Sequence, residues 1–363
     1  MRKLAAQPGG EVAVVTPLAP CDIEQGPLTA AEVGAYVVGA AVWAPSVHNT
    51  QPWWFAAEGA EIALYADAGR QLNIADPDGR EMMISCGAAL FNAKLALRSL
   101  GYIVDSQVLP DPADPLLIAR LRWRRRAAPA GFELRLFSQV TRRRTHRGGF
   151  QPVPLVPQLL GALRQGATRD GAALRIASNE GSRAALAALV EMAERVQRSD
   201  SGYVRELAAW APPPGSRRLD GVSPSSYPAH PERTDPNFPG RDFARGHGWG
   251  LPASSPAAAA RFTGVACVLT TAADTPVHWV NAGHAVQRIL LTSASYGVAA
   301  ALYSQPVEVG WLREIMRDQL GDGSYPQLVL RLGTVIQSAI SVRRPLSSVL
   351  VGAGSKLTAP AAI

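Results

Sequence analysis

Residues 44–54 read APSVHNTQPWW, from Ala44 to Trp54. One turn carries four hydrogen-bonding side chains (Ser46, His48, Asn49 and Gln51) and two adjacent indoles. What lies upstream fixes its place in the fold. Thr29 followed by Glu32 is the pattern of a capping box, in which each end residue satisfies the other's free backbone N–H. The run from Val33 to Ala44 is small and apolar nearly all round, as in a buried helix. Pro45 disfavours helical geometry in the residue before it, so the helix is expected to stop at Ala44. The stretch is therefore a helix-exit loop. Its amides and hydroxyl suit a ligand with alternating donors and acceptors, such as a heterocycle edge or a polyol, and its tryptophans could line a ring. The purely structural alternative is a capped turn flanked by core aromatics.

Working outward, WWFAA and EIALYA read as short strands. A second helix is expected over 80–100. Met83, Cys86, Leu90, Ala93, Leu97 and Leu100 recur there at steps of three and four, and Gly101 is a natural stop. In LLIARLRW the parity alternates: Leu117, Ala119, Leu121 and Trp123 face inward, Arg120 and Arg122 outward. The second half of the chain echoes this plan. Shifted by 122 residues, VVGAAVWAPSVHNTQPWWFAAEG lies over LLGALRQGATRDGAALRIASNEG; shifted by 196, SCGAALFNAKLALRSLGY lies over NAGHAVQRILLTSASYGV. Gly87 meets Gly283, while Asn49 and Gln51 meet Gly171 and Ala173. The expected fold class is α+β, with two pseudo-symmetric halves in one chain at 28–133 and 134–350. An N-terminal extension (1–27), a flexible tail (351–363) and a Pro/Gly-rich insertion (200–260) complete the plan. The insertion carries Trp210, Tyr227, Phe238, Phe243 and Trp249, and so reads as a lid.

Composition bounds the function. The chain has 363 residues, 47% apolar and 18% charged, so it buries a sizeable interior. The three cysteines, Cys21, Cys86 and Cys267, are far apart and suggest neither a disulfide framework nor a zinc site. With Pro-Gly-Gly breaking the N-terminal run, they point to a cytoplasmic protein without a signal peptide. No stretch of about 18 apolar residues suggests a membrane span. The net charge of +7 gathers in two clusters. RLRWRRR ends a strand, where outward arginines are expected, and does not interleave exposed aromatics as a nucleic-acid surface would. TRRRTHRGGF (141–150) is different: Arg143, Arg144 and Arg147 stand beside the Thr145 hydroxyl, a set suited to one phosphate monoester as well as to a solvated turn. No GxGxxG after a strand, GxSxG, Walker loop or HExxH occurs. His230 and His247 fall in the insertion. His278 and His284 could share a helix end, but no third ligand is near, so no metal is expected. Cys86 belongs to an apolar stripe rather than to a nucleophile.

Together these elements resemble a known family. APSVHNTQPW is similar to the APSxxNxQPW signature of the FMN-dependent nitroreductase superfamily, and TRRRTHRGGF resembles its phosphate-binding RRSxR element. The order of the two, the SCGAAL helix and the terminal RRPL resemble the single-chain, Acg-type branch. The family usually forms homodimers with two FMN sites at the interface, so the resemblance implies a nitroreductase-like pseudo-dimer that needs no second copy. Each half has lost one element. The only complete site joins the loop of the first half to the arginines of the second, which implies one FMN per chain. By the same resemblance Arg143, Thr145 and Arg147, with Arg144, would hold the phosphate side. Arg343 or Arg344 would meet the phosphate from the C-terminus. Ser46, His48, Asn49 and Gln51 would reach the ring or ribityl chain, and Ser304, Gln305 and Pro306 would lie near flavin N5. The implied activity is hydride transfer from NAD(P)H to a nitro, quinone or similar acceptor, with no catalytic acid or base assigned. The alternative is an FMN-sequestering protein with a closed lid.

Overall fold

A computed structural model describes residues 28–228, 232–243, 261–336 and 341–352. The N-terminal extension and nearly all of the expected tail lie outside the described residues, as do Cys21, His230, His247 and Trp249. Helix α1 (Ala30–Ala41) opens with the Thr29–Glu32 capping box. It ends three residues before Ala44. Trp43 and Ala44 already bond only to the third carbonyl back, at 3.2 and 3.0 Å, so the last turn tightens before the proline is reached.

The chain then builds β1 (Trp53–Glu58), β2 (Glu61–Ala66), α2 (Arg80–Ser99), β3 (Tyr102–Val108), β4 (Leu117–Arg126) and α3 (Gly131–Phe137). Next come α4 (Pro157–Arg169), β5 (Ala172–Ile176), α5 (Glu180–Ser199) and α6 (Ser201–Ala209). After the two-residue strands β6 (Thr234–Asp235) and β7 (Arg261–Phe262) follow β8 (Val265–Thr271), α7 (Pro276–Ser295) and β9 (Ala299–Tyr303). The last elements are α8 (Gln305–Glu308), α9 (Gly310–Leu320), β10 (Tyr325–Gly333) and β11 (Leu350–Gly352).

The two main sheets repeat one strand order. The first sheet runs β1-β2-β4-β3 and the second β5-β8-β10-β9, each with a long helix between its second and third strands in chain order. Those helices, α2 and α7, pack on each other with Gly87 and Gly283 at the contact. A Cβ on Gly283 would collide with the Ile84 carbonyl, and one on Gly87 with that of Val280. Only glycine permits so close an approach. Gln287 Nε2 donates to Asn92 Oδ1 across the same seam at 2.7 Å. Separate apolar cores sit beneath the two sheets, and Val280 and Leu291 of α7 enter the first.

The division at residue 134 is crossed at the far end. Strand β11 returns from the second half to pair in parallel with β1. The insertion begins as helix α6 rather than as loop, capped by Asp200, and Tyr203, Leu207, Val222, Tyr227 and Phe243 form a small core of their own with Leu72 and Ala75. The outward arginines of β4 are used on the sheet surface: Arg120 and Arg122 pair with Glu61, and Arg124 with Asp105.

Candidate functional site

The APSVHNTQPWW loop is held in an unusual backbone. His48, Asn49 and Gln51 have φ of 49°, 55° and 51°, in the left-handed region that non-glycine residues avoid. Each such residue costs of order 1–3 kcal/mol, so surrounding bonds must over-determine the conformation. They do. Ser46 Oγ accepts the Gln51 N–H at 2.9 Å. Asn49 Nδ2 donates to the Gly221 and Val342 carbonyls at 3.0 and 3.3 Å, and its Oδ1 accepts from Arg343 at 3.0 Å. Gln51 Nε2 donates to the Leu219 carbonyl and its Oε1 accepts the Arg344 N–H, both at 2.8 Å. The loop thus clasps the insertion on one side and the C-terminal segment on the other.

Beside it opens a cavity of about 420 Å³, within the size range of small-molecule sites. Ser46 and His48 line it from the loop; Thr145 and Arg147 from the arginine turn; Ser304 and Gln305 from the end of β9 and the start of α8; and Tyr227, Arg241 and Phe243 from the insertion. The Phe243 ring stands edge-on to His48, with centroids 5.5 Å apart, and the Arg147 guanidinium lies 5.9 Å from it. Burial, reinforced by the Arg241 charge, holds His48 well below its ordinary pKa, so the imidazole is neutral. A narrow cleft adjoins this cavity, sharing Pro45, Ser46, Thr145 and Arg147 with it and adding Asn49, Ser226 and Arg343.

The cleft is the electrostatic centre. Burial, then Arg144 and Arg147, pull Arg143 down to about 9; burial pulls Arg147 to about 10. Arg343 too is held well below the usual guanidinium range, through burial and then repulsion from Arg143, Arg144 and Arg147. Among the described residues, no carboxylate pairs with any of these four. The Nε atoms of Arg143 and Arg343 are buried without a partner. Guanidinium groups keep their charge at neutral pH. Positive charge without a carboxylate partner among the described residues is therefore concentrated where the cavity narrows, a setting that suits an anion.

The remaining expected residues stand elsewhere. Arg143 backs the cleft without lining it, donating to the Trp43 carbonyl and to Thr145 Oγ1 at 3.3 and 3.4 Å. Arg144 bonds the Thr141 and Arg143 carbonyls and stacks on Trp43. Gln51 lies off the cavity wall. Arg344 does too, spending its guanidinium on the carbonyls of Gln51, Trp53 and Ser348. Pro306 is buried behind Ser304 and Gln305. The tryptophans do not line a ring pocket: Trp53 is core, and Trp54 stacks on Tyr65 across the sheet with centroids 4.0 Å apart. Strand parity separates the two indoles and overrides the loop reading. His278 Nδ1 bonds the Thr275 hydroxyl at 2.7 Å at the start of α7, and no metal-holding group of three occurs among the described residues. None of the described helices is long and apolar enough to cross a membrane.

Three groups at the cavity had no clear sequence signal. Arg241 of the insertion donates to Glu308 and Tyr203, and to Ser304 Oγ at 2.8 Å. This ion pair is buried and holds Glu308 down at about 2 against the cost of burial. Arg331 is fully buried among Phe150, Phe238 and Tyr303 and donates to the Thr263 and Gly148 carbonyls. Glu81, from the first turn of α2, completes the wall.

No protein-family model matches the chain. It is 33% identical over 304 residues to "Putative NAD(P)H nitroreductase Rv3131" of Mycobacterium tuberculosis, across 84% of this chain and 85% of that protein. It is 27% identical over 321 residues to "Putative NAD(P)H nitroreductase acg" of the same organism, across 84% and 91%. Among solved structures, the FMN-dependent nitroreductase NfnB from Mycobacterium smegmatis in complex with NADPH aligns over 60% of this chain and 97% of its own, at 15% identity and a TM-score of 0.35. A superposition that loose carries no argument.

Proposed function

This chain belongs to the NAD(P)H nitroreductase family, and from that premise we propose that it is an FMN-binding oxidoreductase passing hydride from NAD(P)H to a nitro, quinone or similar acceptor. The observation that carries the cofactor assignment is the buried arginine cluster at the cleft, which no carboxylate pairs among the described residues and in which two Nε atoms lack partners. A phosphate monoester supplies the charge and acceptor oxygens such a cleft lacks. The adjoining cavity, with a hydroxyl, an imidazole, an amide and an aromatic cover, suits a ribityl chain and a flat ring.

In this reading Arg147, Arg343 and Thr145 hold the phosphate, and Arg143 and Arg144 stabilise that charge from behind. Ser46 and His48 meet the ring or ribityl chain; Ser304 and Gln305 lie on the ring side. Asn49 and Gln51 fix the loop and the C-terminal segment around the ligand, and Arg344 and Pro306 support those elements. When bound, FMN would supply two-electron hydride chemistry. The chain's own part is to bind, orient and exclude water. Tyr227 and Phe243 line the cavity from the insertion; in this reading they cover the bound ring, and turnover requires the insertion to move. A sequestering role would leave that cover shut; the names of the relatives favour catalysis.

We assign the duplicated topology to a pseudo-dimer that completes its site within one chain and acts as a monomer. We place it in the cytoplasm, where its buried free thiols Cys86 and Cys267 suit a reducing compartment. The test is direct. The purified chain should be yellow, with about one FMN per chain, and should oxidise NADPH when a quinone or nitroaromatic is added. A preparation that takes up no added FMN would remove the assignment. FMN uptake without turnover across several donors and acceptors would leave the sequestering alternative.

A further inference from the structure

Helix α2 turns one face to the cavity: Glu81, Ile84, Ser85 and Ala88 line it at steps of three, four and seven. Glu81 is the only ionisable group of that set. Its Oε1 accepts from Arg80 at 2.9 Å, while its Oε2 is buried with no partner. It does not border the arginine cleft, so it stands apart from the phosphate end.

The surroundings set its charge. From its own helix comes Arg80; from the preceding turn, Asp76; from α8, Glu308 in its pair with Arg241 of the insertion; from α9, Arg313 in its pair with Asp274. His48 faces the Arg241–Glu308 pair and is neutral. Four carboxyl groups therefore share the patch with three guanidinium groups, and one proton balances it. Both oxygens of Asp76 already accept backbone N–H groups, of Glu81 at 3.0 Å and Met82 at 2.8 Å. Glu81 is the carboxyl with an oxygen to spare. Burial, then the Glu308 charge, raise it well above the usual carboxylate range, against Arg80. A neutral carboxylic acid has an O–H to donate, and none of the described protein groups accepts from Oε2.

We propose that Glu81 is a catalytic residue, a carboxylic acid that delivers the proton on Oε2 to an oxygen of a quinone-type acceptor held in this cavity. The proposal rests on the oxidoreductase reading above. The acceptor gains both electrons with a hydride, which the family's nicotinamide-fed reaction supplies. The O–H bond of Glu81 breaks, an O–H bond forms on the acceptor oxygen, and the Glu81 carboxylate regains its proton from water.

Two measurements test it on the full chain. Infrared spectra of the wild type should contain a carboxylic-acid C=O band at neutral pH that fades on alkaline titration, is lost in Glu81→Gln and is shifted in Glu81→Asp. In flavin-loaded protein, Glu81→Gln should slow reduction of a soluble benzoquinone by about 100-fold, the scale of general-acid catalysis. It should also abolish the alkaline limb of the rate profile, which in the wild type follows loss of the donor as pH rises. Glu81→Asp should restore part of both. A wild-type band unchanged in both variants overturns the protonated state. A Glu81→Gln quinone rate within twofold of wild type overturns the donor role alone. A chain that binds no FMN overturns the reading of the site and this role with it, and the infrared band then still reports whether Glu81 keeps its proton.

Discussion

Gln51 and Arg343 divide the labour of the site between them. Gln51 is fully buried at φ 51°, and its amide joins the Leu219 carbonyl to the Arg344 N–H. Replacing it with alanine would mix backbone strain with lost bonds. Gln51→Gly tolerates the positive φ and isolates the amide. It leaves a half-buried donor and a half-buried acceptor without that partner, at about 1–2 kcal/mol each, the lower part of the range for a buried group. Urea unfolding should therefore record a loss of about 2–4 kcal/mol, and an unchanged midpoint would mean water replaces the amide. Arg343 is the opposite case. Burial and its arginine neighbours hold its pKa well below the usual guanidinium value, so its charge destabilises the flavin-free chain. Arg343→Ala should weaken FMN binding by about 2–4 kcal/mol, the scale of a truncated charge-assisted contact, while in the flavin-free chain relief of that repulsion offsets the lost bonds to Asn49 and to the Trp43 and Ala44 carbonyls. Equilibrium dialysis and a flavin-free melt separate the two effects. Arg143→Ala should follow the same direction less steeply, because Arg143 reaches the cleft only from behind.

At the scale of elements, the contact between α2 and α7 depends on two glycines. Gly283→Ala would place a methyl against the Ile84 carbonyl and the Gly87 backbone, neither of which is a flexible side-chain end. The helices must part, at a cost of about 1–3 kcal/mol for overpacking. Denaturation of Gly283→Ala and Gly87→Ala should give similar losses, and the double variant less than their sum, since both relieve one contact. A fully additive pair would mean that the two methyls act at separate places. A shift of 196 residues aligned the two glycines as equivalent positions, but their meeting in space was not legible. The capping box of α1, the stripe of α2 and the parity of β4 were legible, since each is a local period or pairing. What was not legible depended on tertiary direction. Gln51 and Arg344 carry the right chemistry for a ligand, yet backbone groups far away in sequence claim both. Trp53 and Trp54 sit beside the site in sequence and on β1 in space. Arg241, Arg331 and Glu81 are single residues in long segments, and only the packing of the insertion, β10 and α2 brings them to one cavity.

The whole molecule is tied together at that cavity. Its walls come from the first half through Ser46, His48 and Glu81, from the second through Thr145, Arg147, Ser304 and Gln305, and from the insertion through Tyr227 and Phe243. The C-terminal segment closes the circuit: Arg343 enters the cleft and β11 joins the first sheet beyond it. A ligand filling the cavity therefore touches every part, and its binding energy should stabilise all of them together. At a free FMN concentration 100 times Kd the gain is about 2.7 kcal/mol. Far-UV circular dichroism averages over both sheets, and tryptophan fluorescence also draws on both halves, since four of the eight tryptophans (Trp43, Trp53, Trp54 and Trp123) lie in the first and four in the second. Both probes should report one transition, moved upward by the same interval when FMN is added. A second transition by either probe, with only one of the two shifting, would place the ligand within one half and undo the assignment of a site shared between them.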